Sequence, residues 1–318
     1  MKGKILLIDT LHPSFKSNLE QLGFVCDEGY AMSKDEILSI IKEYNGVAIR
    51  SRFKIDAEFL SKASHLKFIA RAGAGMENID ADAATKYGIN LINAPEGNRD
   101  AVGEHAIGML LAMMNHLLRA DNEVRRGIWK REENRGDEIQ GKTFGIIGFG
   151  NMGTAFAKKL QGFEVNMLVY DPYISIDQQK YPYVQQVSID TIFEQADIIS
   201  LHVPLTAETL KMVNADFLSK FKKPIRLINT ARGKVVDTAA LTEAMKSGQV
   251  LTVALDVLEY ESISFENLDA TKLPQPFQYL IQSDRAILSP HIGGWTHESN
   301  EKIAQTMVNK IVKLFQSI

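Results

Sequence analysis

Short apolar runs alternate with segments of helical spacing along the whole chain. The runs have the length of buried strands and fall into two sets: 5–9, 46–50, 68–71 and 89–92, and then 143–147, 165–170, 198–202, 226–229, 251–256 and 286–288. Segments between them, such as 35–44 and 238–246, place apolar residues at helical spacing. Strands that alternate with helices form parallel sheets with helices on both faces, so the pattern predicts an α/β protein with two doubly wound parallel-sheet domains.

A long segment between the two sets of strands predicts one helix over about 102–125. Its first half, 106–114, is apolar on most sides, which is typical of a buried helix, and it is too short to span a bilayer. Two interpretations remain open: a core helix within one domain, or a helix that packs against a second subunit. The second is favoured because the helix is long and its second half is charged.

Two further segments lie near the end of the chain. The spacing over 298–315 predicts an amphipathic helix. The stretch 262–283 is irregular and carries Pro274 and Pro276, which predicts a surface loop.

Composition narrows the class of protein. A chain of 318 residues is too long for one ordinary core, and its net charge of −3 gives no reason to expect nucleic acid or an anionic membrane as a partner. Cys26 is the single cysteine, which excludes an intrachain disulfide, and no histidine pair has metal-ligand spacing, so no metal site is predicted. The N-terminus runs directly into the first apolar run without a signal peptide, which predicts a cytoplasmic protein.

The most informative motif is Gly148-Phe149-Gly150-Asn151-Met152-Gly153, which follows the run 143–147 and precedes a segment of helical spacing. The first glycine permits a tight turn, the second lets the backbone approach a pyrophosphate, and the third lets the helix pack close to the strand. The helix N-terminus then offers N–H groups and a positive dipole end to phosphate groups. The motif therefore predicts a dinucleotide-binding unit.

An acidic residue, Asp171, ends the next apolar run. A carboxylate at this position accepts hydrogen bonds from the ribose hydroxyls and repels a 2′-phosphate. Pro172 and the two residues after it bring no arginine or lysine beside the acid, so the sequence favours NAD over NADP.

Polar residues follow several other predicted strands, at the carboxyl ends where open parallel sheets bind ligands. The first set contributes Arg50, Ser51, residues 73–75 and Asn93, and the second set contributes His202, residues 230–232, Asp256 and His291. The pattern predicts a cleft between the two domains, with a cofactor on one wall and a substrate on the other.

Hydride transfer to a carbonyl needs a proton donor, a fixed cation for an acidic substrate and a group that tunes the donor. Arg232 is a candidate to hold a carboxylate through two parallel hydrogen bonds, with an ordinary surface arginine as the alternative. His291 is the candidate proton donor, with a structural histidine as the alternative, and Glu261 is the candidate partner for its far ring nitrogen. His202 is interpreted as lining the cofactor site rather than as a second acid, although the sequence hardly separates the two.

Several motifs together resemble the D-isomer-specific 2-hydroxyacid dehydrogenase family. The matching segments occur in order over almost the whole chain: 71–75, 78–80, 93–98, 102–105, 148–153 with Asp171, 202–204, 229–233, 256–261 and 289–294. The resemblance implies a flavodoxin-like substrate domain of residues 1–94 and 292–318 and a Rossmann NAD-binding domain of residues 95–291. It also implies a homodimer built on the helix near 102–125.

The same resemblance implies catalytic roles for Arg232, Glu261 and His291. It implies cofactor contacts from the glycine turn and from the strand ends that follow it: Gly148, Gly150, Asn151, Met152, Gly153, Asp171, Pro172, His202, Val203, Pro204, Thr230, Ala231, Arg232, Asp256, His291, Gly293 and Gly294. It implies substrate contacts from Arg50, Ser51, Ala74, Gly75, Asn98 and Arg232, in which Ala74 and Gly75 offer backbone N–H groups to the substrate carboxylate.

Within this family the chain looks most like the 3-phosphoglycerate dehydrogenases. The segments 50–52 and 127–130 resemble segments of that group, and the arginines at 50 and 52 suit a dianionic phosphate, with solvated loop arginines as the alternative. Two residues depart from the pattern: Ser262 stands where a proline is usual, and Trp295 stands in place of a serine and narrows the pocket. The chain ends soon after the last predicted helix, so we expect no C-terminal regulatory domain and no inhibition by serine.

The expected function is the NAD-dependent interconversion of a D-2-hydroxy acid and its 2-oxo acid, with 3-phosphoglycerate and 3-phosphohydroxypyruvate of serine biosynthesis as the pair. A glyoxylate or hydroxypyruvate reductase is the alternative that needs no phosphate site. A binding protein that responds to NAD(H), as in transcriptional co-repressors, is a second alternative, against which the three candidate catalytic residues argue.

Overall fold

The computed structural model describes residues 2–261 and 273–316. The chain divides into two units, one of Met1–Arg99 with Trp295–Ile318 and one of Asp100–Gly294. The domain boundaries that the family resemblance implies, after residues 94 and 291, lie a few residues before these divisions.

Within these ranges the strands are β1 (Gly3–Leu7), β2 (Phe24–Glu28), β3 (Gly46–Ile49), β4 (Phe68–Arg71), β5 (Asn90–Ile92), β6 (Thr143–Ile147), β7 (Asn166–Tyr170), β8 (Gln185–Gln186), β9 (Ile198–Leu201), β10 (Ile225–Asn229), β11 (Val250–Leu255) and β12 (Ala286–Leu288). The α-helices are α1 (Pro13–Gln21), α2 (Lys34–Ile40), α3 (Ala57–Lys62), α4 (Ala81–Lys86), α5 (Pro95–Met114), α6 (Leu117–Arg125), α7 (Asn151–Leu160), α8 (Ile189–Gln195), α9 (Ala215–Ser219), α10 (Thr238–Ser247), α11 (Gln275–Gln282) and α12 (His297–Gln316).

The first unit is built on a parallel sheet with the strand order β2-β1-β3-β4-β5. Apolar residues of α1 and α12, such as Phe15 and Met307, are buried against one face of the sheet. Residues of α2, α3 and α4, such as Ile37 and Phe59, are buried against the other face. This order, with helices on both faces, is the flavodoxin-like arrangement that the family resemblance implies.

The second unit is built on a parallel sheet with the order β12-β11-β10-β9-β6-β7-β8. Helices α5 and α7 bury residues such as Leu110 and Phe156 against one face. Helices α8 to α11 bury residues such as Leu241 and Phe277 against the other. The strand order reverses between β6 and β9, as it does in a Rossmann fold, so the prediction of two doubly wound α/β domains is confirmed.

The single long helix predicted over about 102–125 is wrong. Helix α5 ends at Met114 and α6 begins at Leu117, with His116 between them in the left-handed region at φ 52°. The carbonyl of Met114 accepts a hydrogen bond from the backbone N–H of Asp137 at 3.0 Å, a partner outside the helix. A distant segment therefore satisfies the end of α5, and the chain turns before it forms α6.

The irregular loop predicted over 262–283 is also wrong in part, because residues 275–282 form α11. Pro274 and Pro276 lie at the start of this helix, where a missing N–H does no harm. Residues 262–272, and with them Ser262, lie outside the described ranges. Strands β2 and β8 were not predicted: polar residues interrupt β2 after Val25 and Cys26, and β8 is Gln185–Gln186 alone.

Candidate active site

The carboxyl ends of six strands in the second unit form one row. The last residues of these strands pair across the sheet in register: Tyr170, Ile147, Leu201, Asn229, Leu255 and Leu288. The next residue along each strand is, in the same order, Asp171, Gly148, His202, Thr230, Asp256 and Ser289. The register therefore places the candidate cofactor and catalytic segments of this unit along a single edge of its sheet.

Close contacts explain two of the three glycines of the turn. Gly148 has a φ of +90°, and a Cβ built on it would lie 2.7 Å from the carbonyl oxygen of His202. A Cβ on Gly153 would lie 2.1 Å from the carbonyl oxygen of Gly148. A Cβ on Gly150 would meet no described protein atom within 4 Å. The backbone at Gly150 therefore faces open space, which is where a bound pyrophosphate would approach.

Helix α7 begins at this turn without a side-chain cap, because its N-cap residue is Gly150. Seven other helices in the described part of the chain are capped by a side-chain oxygen, from Ser33, Asp56, Asp80, Ser188, Asn214, Asp237 and Thr296. The first residues of α7 are Asn151, Met152 and Gly153, and their N–H groups lie at the positive end of the helix dipole. This helix start fits the pyrophosphate of a dinucleotide.

Asp171 is fixed beside the glycine turn by backbone groups. Its Oδ2 accepts a hydrogen bond from the N–H of Phe149 at 2.8 Å, and its Oδ1 accepts one from the N–H of Tyr173, across Pro172, at 3.0 Å. Each carboxylate oxygen still has a lone pair for a ribose hydroxyl. No lysine or arginine forms an ion pair with Asp171 in the described part of the chain, which is consistent with a cofactor that has no 2′-phosphate.

His202 lies at the carboxyl end of β9, in the middle of this row, and is followed by Val203 and Pro204. Its Nε2 lies 2.9 Å from Oγ of Ser200, its ring packs on Phe156, and its Nδ1 is buried without a hydrogen-bond partner in the described chain. Burial lowers the pKa of His202 to about 3, so the ring is neutral at neutral pH. His202 is therefore not in the imidazolium form that a second general acid would need, which favours the interpretation that it supports the cofactor turn.

Glu261 and His291 meet in the structure. Oε2 of Glu261 lies 3.0 Å from Nδ1 of His291, and both side chains are largely buried. His291 has a φ of 56°, in the left-handed region, and its N–H donates to the carbonyl of Asp256 at 2.8 Å. The turns after β11 and β12 thus orient a carboxylate on one ring nitrogen, which directs the other ring nitrogen away from it.

The turn that carries Arg232 packs against the turn that leads to Glu261. The side chain of Asn229 accepts from the N–H of Ala231 and donates to the carbonyl of Arg232, both at 3.0 Å. A Cβ on Gly233 would lie 2.0 Å from the carbonyl group of Leu258, so only glycine permits this approach. Oγ1 of Thr230 is buried without a partner in the described chain, as expected where a ligand completes the site.

Asp256 organises the segment that carries His291. Its carboxylate accepts from the N–H groups of Ile292 at 2.9 Å and Gly293 at 2.8 Å, and from Oγ of Ser289 at 2.6 Å. Nε2 of His105, on α5, lies 3.2 Å from the same carboxylate. Burial by itself raises the pKa of Asp256, but these hydrogen bonds outweigh it and the pKa lies below its ordinary value.

The sequence reasoning missed both side chains that contact Asp256. Ser289 follows the last strand of the row, so the strand-end rule was a signal for it. His105 lies in the family segment 102–105 but was not predicted as a site residue, and its local sequence does not indicate the contact with Asp256. Gly294, a predicted cofactor residue, ends this unit.

In the first unit, Asp9 organises the loop after β3. Its Oδ2 accepts from the N–H groups of Arg50 at 2.6 Å, Ser51 at 3.1 Å and Arg52 at 3.3 Å. Asp9 was not predicted, although it ends the first apolar run as other site residues end theirs. The guanidinium of Arg52 donates to three backbone carbonyls, those of Ile8, Gly29 and Met32. Arg52 therefore supports the loop, which argues against a second phosphate ligand at this position.

The neighbouring loop after β4 contains Ala74 and Gly75. The N–H of Ala72 donates to the carbonyl of Ile49 at 2.8 Å, which joins this loop to the end of β3. The side chain of Asn93 donates to the carbonyl of Ala74 at 2.8 Å and so fixes the loop. Asn98, in the first turns of α5, has a buried Oδ1 without a partner among the described residues.

Residues 2–261 and 273–316 lack two structural features. No helix in these ranges is long and apolar enough to cross a membrane. No group of three or more histidine, cysteine or acidic side chains there is arranged to hold a metal ion.

Comparison with known proteins gives the family. Residues 107–293 match the model of the NAD-binding domain of the D-isomer specific 2-hydroxyacid dehydrogenases. A hydroxypyruvate reductase of Thermotoga maritima is 37% identical over 282 residues, which are 89% of this chain and 88% of that protein. The chain belongs to the D-isomer-specific 2-hydroxyacid dehydrogenase family.

Two other proteins are similar to this one over almost the whole chain. A D-3-phosphoglycerate dehydrogenase of Archaeoglobus fulgidus is 35% identical over 315 residues, which are 99% of this chain but 58% of that protein. The chain therefore spans somewhat more than half the length of that relative. A solved structure is also similar: the D-lactate dehydrogenase of Aquifex aeolicus, complexed with NAD and lactic acid. The match has a TM-score of 0.82 and 30% identity, and it includes 99% of this chain and 95% of the chain of that structure.

Family membership confirms the resemblance drawn from the sequence motifs and the choice of NAD as cofactor. The glycine turn, the uncapped start of α7 and Asp171 all belong to the family's NAD-binding domain, and their geometry fits that cofactor. The two relatives differ in the substrate that their names give. The family thus fixes the cofactor but leaves the substrate to be argued from this chain's own residues.

Proposed function

We propose that this protein is an NAD-dependent oxidoreductase that interconverts a D-2-hydroxy acid and its 2-oxo acid. The observation that carries the proposal is the contact of Glu261 with Nδ1 of His291, at the same sheet edge as Arg232 and the dinucleotide turn. NAD, when bound, supplies or accepts the hydride at C2 of the substrate. The chain's own residues have to supply the proton, the orientation and the charge.

His291 is the proposed general acid and base. In reduction, the ring would give the proton on Nε2 to the carbonyl oxygen of the 2-oxo acid, and in oxidation Nε2 would take the proton of the 2-hydroxyl group. Glu261 accepts a hydrogen bond from the other ring nitrogen, which orients the ring, and its negative charge attracts the positive charge of the ring in its acid form. Asp256 fixes the backbone on the far side of His291 through Ile292 and Gly293.

Arg232 is the proposed anchor for the substrate carboxylate. Its turn is fixed by Asn229 and by the close packing of Gly233, so the guanidinium starts from a defined backbone. Each charge-assisted hydrogen bond to a carboxylate contributes about 1.5–3 kcal/mol. Backbone N–H groups at Ala74 and Gly75 are also proposed as donors to a substrate carboxylate.

For the substrate pair we propose 3-phosphoglycerate and 3-phosphohydroxypyruvate, as in serine biosynthesis. Arg50 supports this choice because it brings a cation to the loop after β3, and the A. fulgidus relative is named for this activity. Arg52 weakens the case for this substrate pair, because its guanidinium already donates to three backbone carbonyls and only one of the two proposed phosphate ligands remains. A glyoxylate or hydroxypyruvate reductase is therefore the second candidate, and the name of the T. maritima relative favours it. A co-repressor-like binding protein would not need the Glu261–His291 pair.

We also propose a homodimer and a cytoplasmic location. No residue of α6 is buried within the chain, and it exposes Leu117, Leu118 and Val124, with Trp129 shortly after it. Exposed apolar side chains in such a group are typical of an interface. The dimer surface is thus assigned to α6 rather than to one long helix.

The cytoplasmic location rests on the presence of a single, buried cysteine, Cys26.

The test is oxidation of NADH, followed by absorbance, with 3-phosphohydroxypyruvate, hydroxypyruvate, glyoxylate and pyruvate in parallel. We expect the highest kcat/KM for the phosphorylated acid, and a much lower rate with NADPH because of Asp171. Preference for an unphosphorylated acid would move the protein to the reductase candidate. No oxidation of NADH with any 2-oxo acid would contradict both enzyme candidates.

A further inference from the structure

The loop after β3 carries a stacked pair of side chains. The guanidinium carbon of Arg50 lies 4.7 Å from the centroid of the Trp295 ring, and both residues belong to the first unit. Trp295 is 63% exposed, although tryptophan is usually well buried. An indole that is this exposed contributes little to the hydrophobic core, and its main described contact is with the Arg50 cation.

Within residues 2–261 and 273–316, the Arg50 guanidinium contacts the Trp295 ring but donates no hydrogen bond to a protein group. A guanidinium that lies over a ring uses its face, while its five N–H groups point outward in its own plane. In the described chain, no carboxylate and no carbonyl accepts from the Arg50 guanidinium. Arg52, two residues further on, gives its N–H groups to three carbonyls. The same loop therefore holds one arginine that supports the backbone and one that is oriented by an aromatic face with its donors available.

The backbone places Arg50 at an edge of the sheet that has other polar groups. Asp9 fixes the N–H of Arg50, and the N–H of Ala72 donates to the carbonyl of Ile49. Arg50 thus starts from the same edge as the loop that carries Ala74 and Gly75, the proposed donors to the substrate carboxylate. A cation here suits an anionic group at the other end of the same small substrate.

We propose that Trp295 is a positioning residue that holds Arg50 as a single-cation site for an anionic group distal to the substrate carboxylate. The proposal rests on the proposed function, and it names the class of substrate: a 2-oxo or 2-hydroxy acid with a second anion, either a phosphate or a carboxylate. It also explains the departure of Trp295 from the serine that the family resemblance implies. Because Arg52 is engaged by the backbone, one arginine is left to recognise the anion, and the indole orients it.

The kinetic test compares Trp295→Leu, Trp295→Phe, Arg50→Ala and the double variant Arg50→Ala/Trp295→Leu. The probes are 3-phosphohydroxypyruvate, 2-oxoglutarate as a dicarboxylate, and hydroxypyruvate, which has no distal anion. We expect Trp295→Leu to raise KM about two- to five-fold for the preferred anionic acid, which is the worth of an exposed cation–π contact. KM for hydroxypyruvate should stay unchanged, Trp295→Phe should restore most of the loss, and Trp295→Leu should have no further effect once Arg50 is alanine.

Lys67→Ala is the matched control. Nζ of Lys67 lies 5.7 Å from the centroid of the Phe315 ring, so this variant removes another cation–π pair of the same unit. Lys67 precedes β4 and therefore lies at the opposite edge of the sheet. Its removal should leave KM for all three acids unchanged. An equal rise in KM for hydroxypyruvate, or the same rise in the Arg50→Ala background, would overturn the proposal, because Trp295 would then act by shaping the fold.

A second readout needs no turnover. The chain has two tryptophans, so Trp129→Phe leaves Trp295 as the only one. Titration of this variant with 3-phosphoglycerate, or with 2-oxoglutarate, should give a saturable change in fluorescence that is absent in the Arg50→Ala variant and absent with hydroxypyruvate.

The two readouts separate the inference from the proposed function. A saturable, Arg50-dependent signal without oxidation of NADH would support the anion site and contradict the enzyme. Preference for 2-oxoglutarate over the phosphorylated acid, with the same dependence on Arg50 and Trp295, would support the site and contradict the phosphate. Turnover with no signal for either anionic acid would overturn the inference alone.

Discussion

Oε2 of Glu261 lies 3.0 Å from Nδ1 of His291, although the two residues are 30 positions apart in the chain. The first follows β11 and the second follows β12, and the parallel register of these strands brings their ends together. In the proposed mechanism the carboxylate acts on the ring in two ways: it accepts a hydrogen bond that orients the ring, and its negative charge attracts the positive charge that the ring carries as an acid. A substitution can separate these two effects.

We expect Glu261→Gln to lower kcat about 10- to 100-fold, within the usual contribution of acid–base catalysis, with little change in KM. Glutamine can still contact Nδ1 but brings no charge to the imidazolium. Glu261→Ala should lower kcat further because the ring also loses its orientation. The measurement is steady-state oxidation of NADH with the preferred 2-oxo acid.

Glu243→Gln is the matched control for this prediction, because Glu243 pairs with Lys246 on an exposed face of α10. It should leave kcat unchanged. Equal kcat values for wild type and Glu261→Gln would show that the charge of Glu261 does no work in the reaction.

Much of the fold could be predicted because its signals are local. Each buried parallel strand is a short apolar run, and each ends at a polar residue or a glycine that faces a ligand edge. Asp171, Gly148, His202 and Asp256 were found by this rule, and the register of the second sheet places them in one row. The rule also applies to Asp9, which lies in none of the motifs, and to Ser289, which lies in the family segment 289–294 but was not predicted as a site residue.

Other features depend on contacts between distant segments and have no local signal. Arg50 and Arg52 share one tripeptide, yet one stacks on Trp295 and the other donates to three carbonyls. His105 reaches Asp256 only because α5 packs on the second sheet. Helix α5 ends where the backbone N–H of Asp137, a residue outside the helix, donates a hydrogen bond to the carbonyl of Met114. In each case the partner, and not the residue itself, decides the outcome.

Alanine substitutions at two glycines of the dinucleotide turn should both weaken binding of NADH, but for different reasons. Gly153→Ala should lower the melting temperature and weaken binding of NADH about ten-fold or more, because its Cβ would lie 2.1 Å from the carbonyl oxygen of Gly148. Gly150→Ala should leave the melting temperature unchanged, because its Cβ would meet no described protein atom within 4 Å. It should still weaken binding of NADH, because the methyl group enters the space assigned to the pyrophosphate.

Calorimetric titration with NADH and thermal unfolding without it measure the two effects separately. Gly162→Ala is the control, because its Cβ also meets nothing described within 4 Å and it lies after α7, away from the turn. It should change neither quantity. Normal affinity for NADH in Gly150→Ala would contradict the placement of the pyrophosphate.

Leu118→Glu should convert the proposed dimer into a monomer. Leu118 is 56% exposed on α6, and burial of a glutamate against a second apolar surface is strongly unfavourable. Tyr87→Glu is the control, because Tyr87 is also exposed but lies in the first unit, after α4. Light scattering after gel filtration should give half the wild-type mass for Leu118→Glu and an unchanged mass for Tyr87→Glu. A monomeric wild type would remove the dimer proposal.

His202 should make the stability of the protein depend on pH below neutrality. Its pKa is lowered by burial to about 3 in the folded protein, against about 6.5 for an ordinary histidine. Between these values the unfolded chain binds a proton that the folded protein excludes. The free energy of unfolding therefore falls as the pH falls through this window, by up to about 1.4 kcal/mol per pH unit from this group.

The measurement compares wild type with a variant, because carboxylates titrate in the lower part of the same pH window. Gln at position 202 cannot be protonated, and His202→Gln should therefore lose about 1 kcal/mol less than wild type when urea unfolding is measured at pH 6 and at pH 5. Parallel losses in the two proteins would show that His202 is accessible to protons in the folded state, and its interpretation as a neutral support of the cofactor turn would then be wrong.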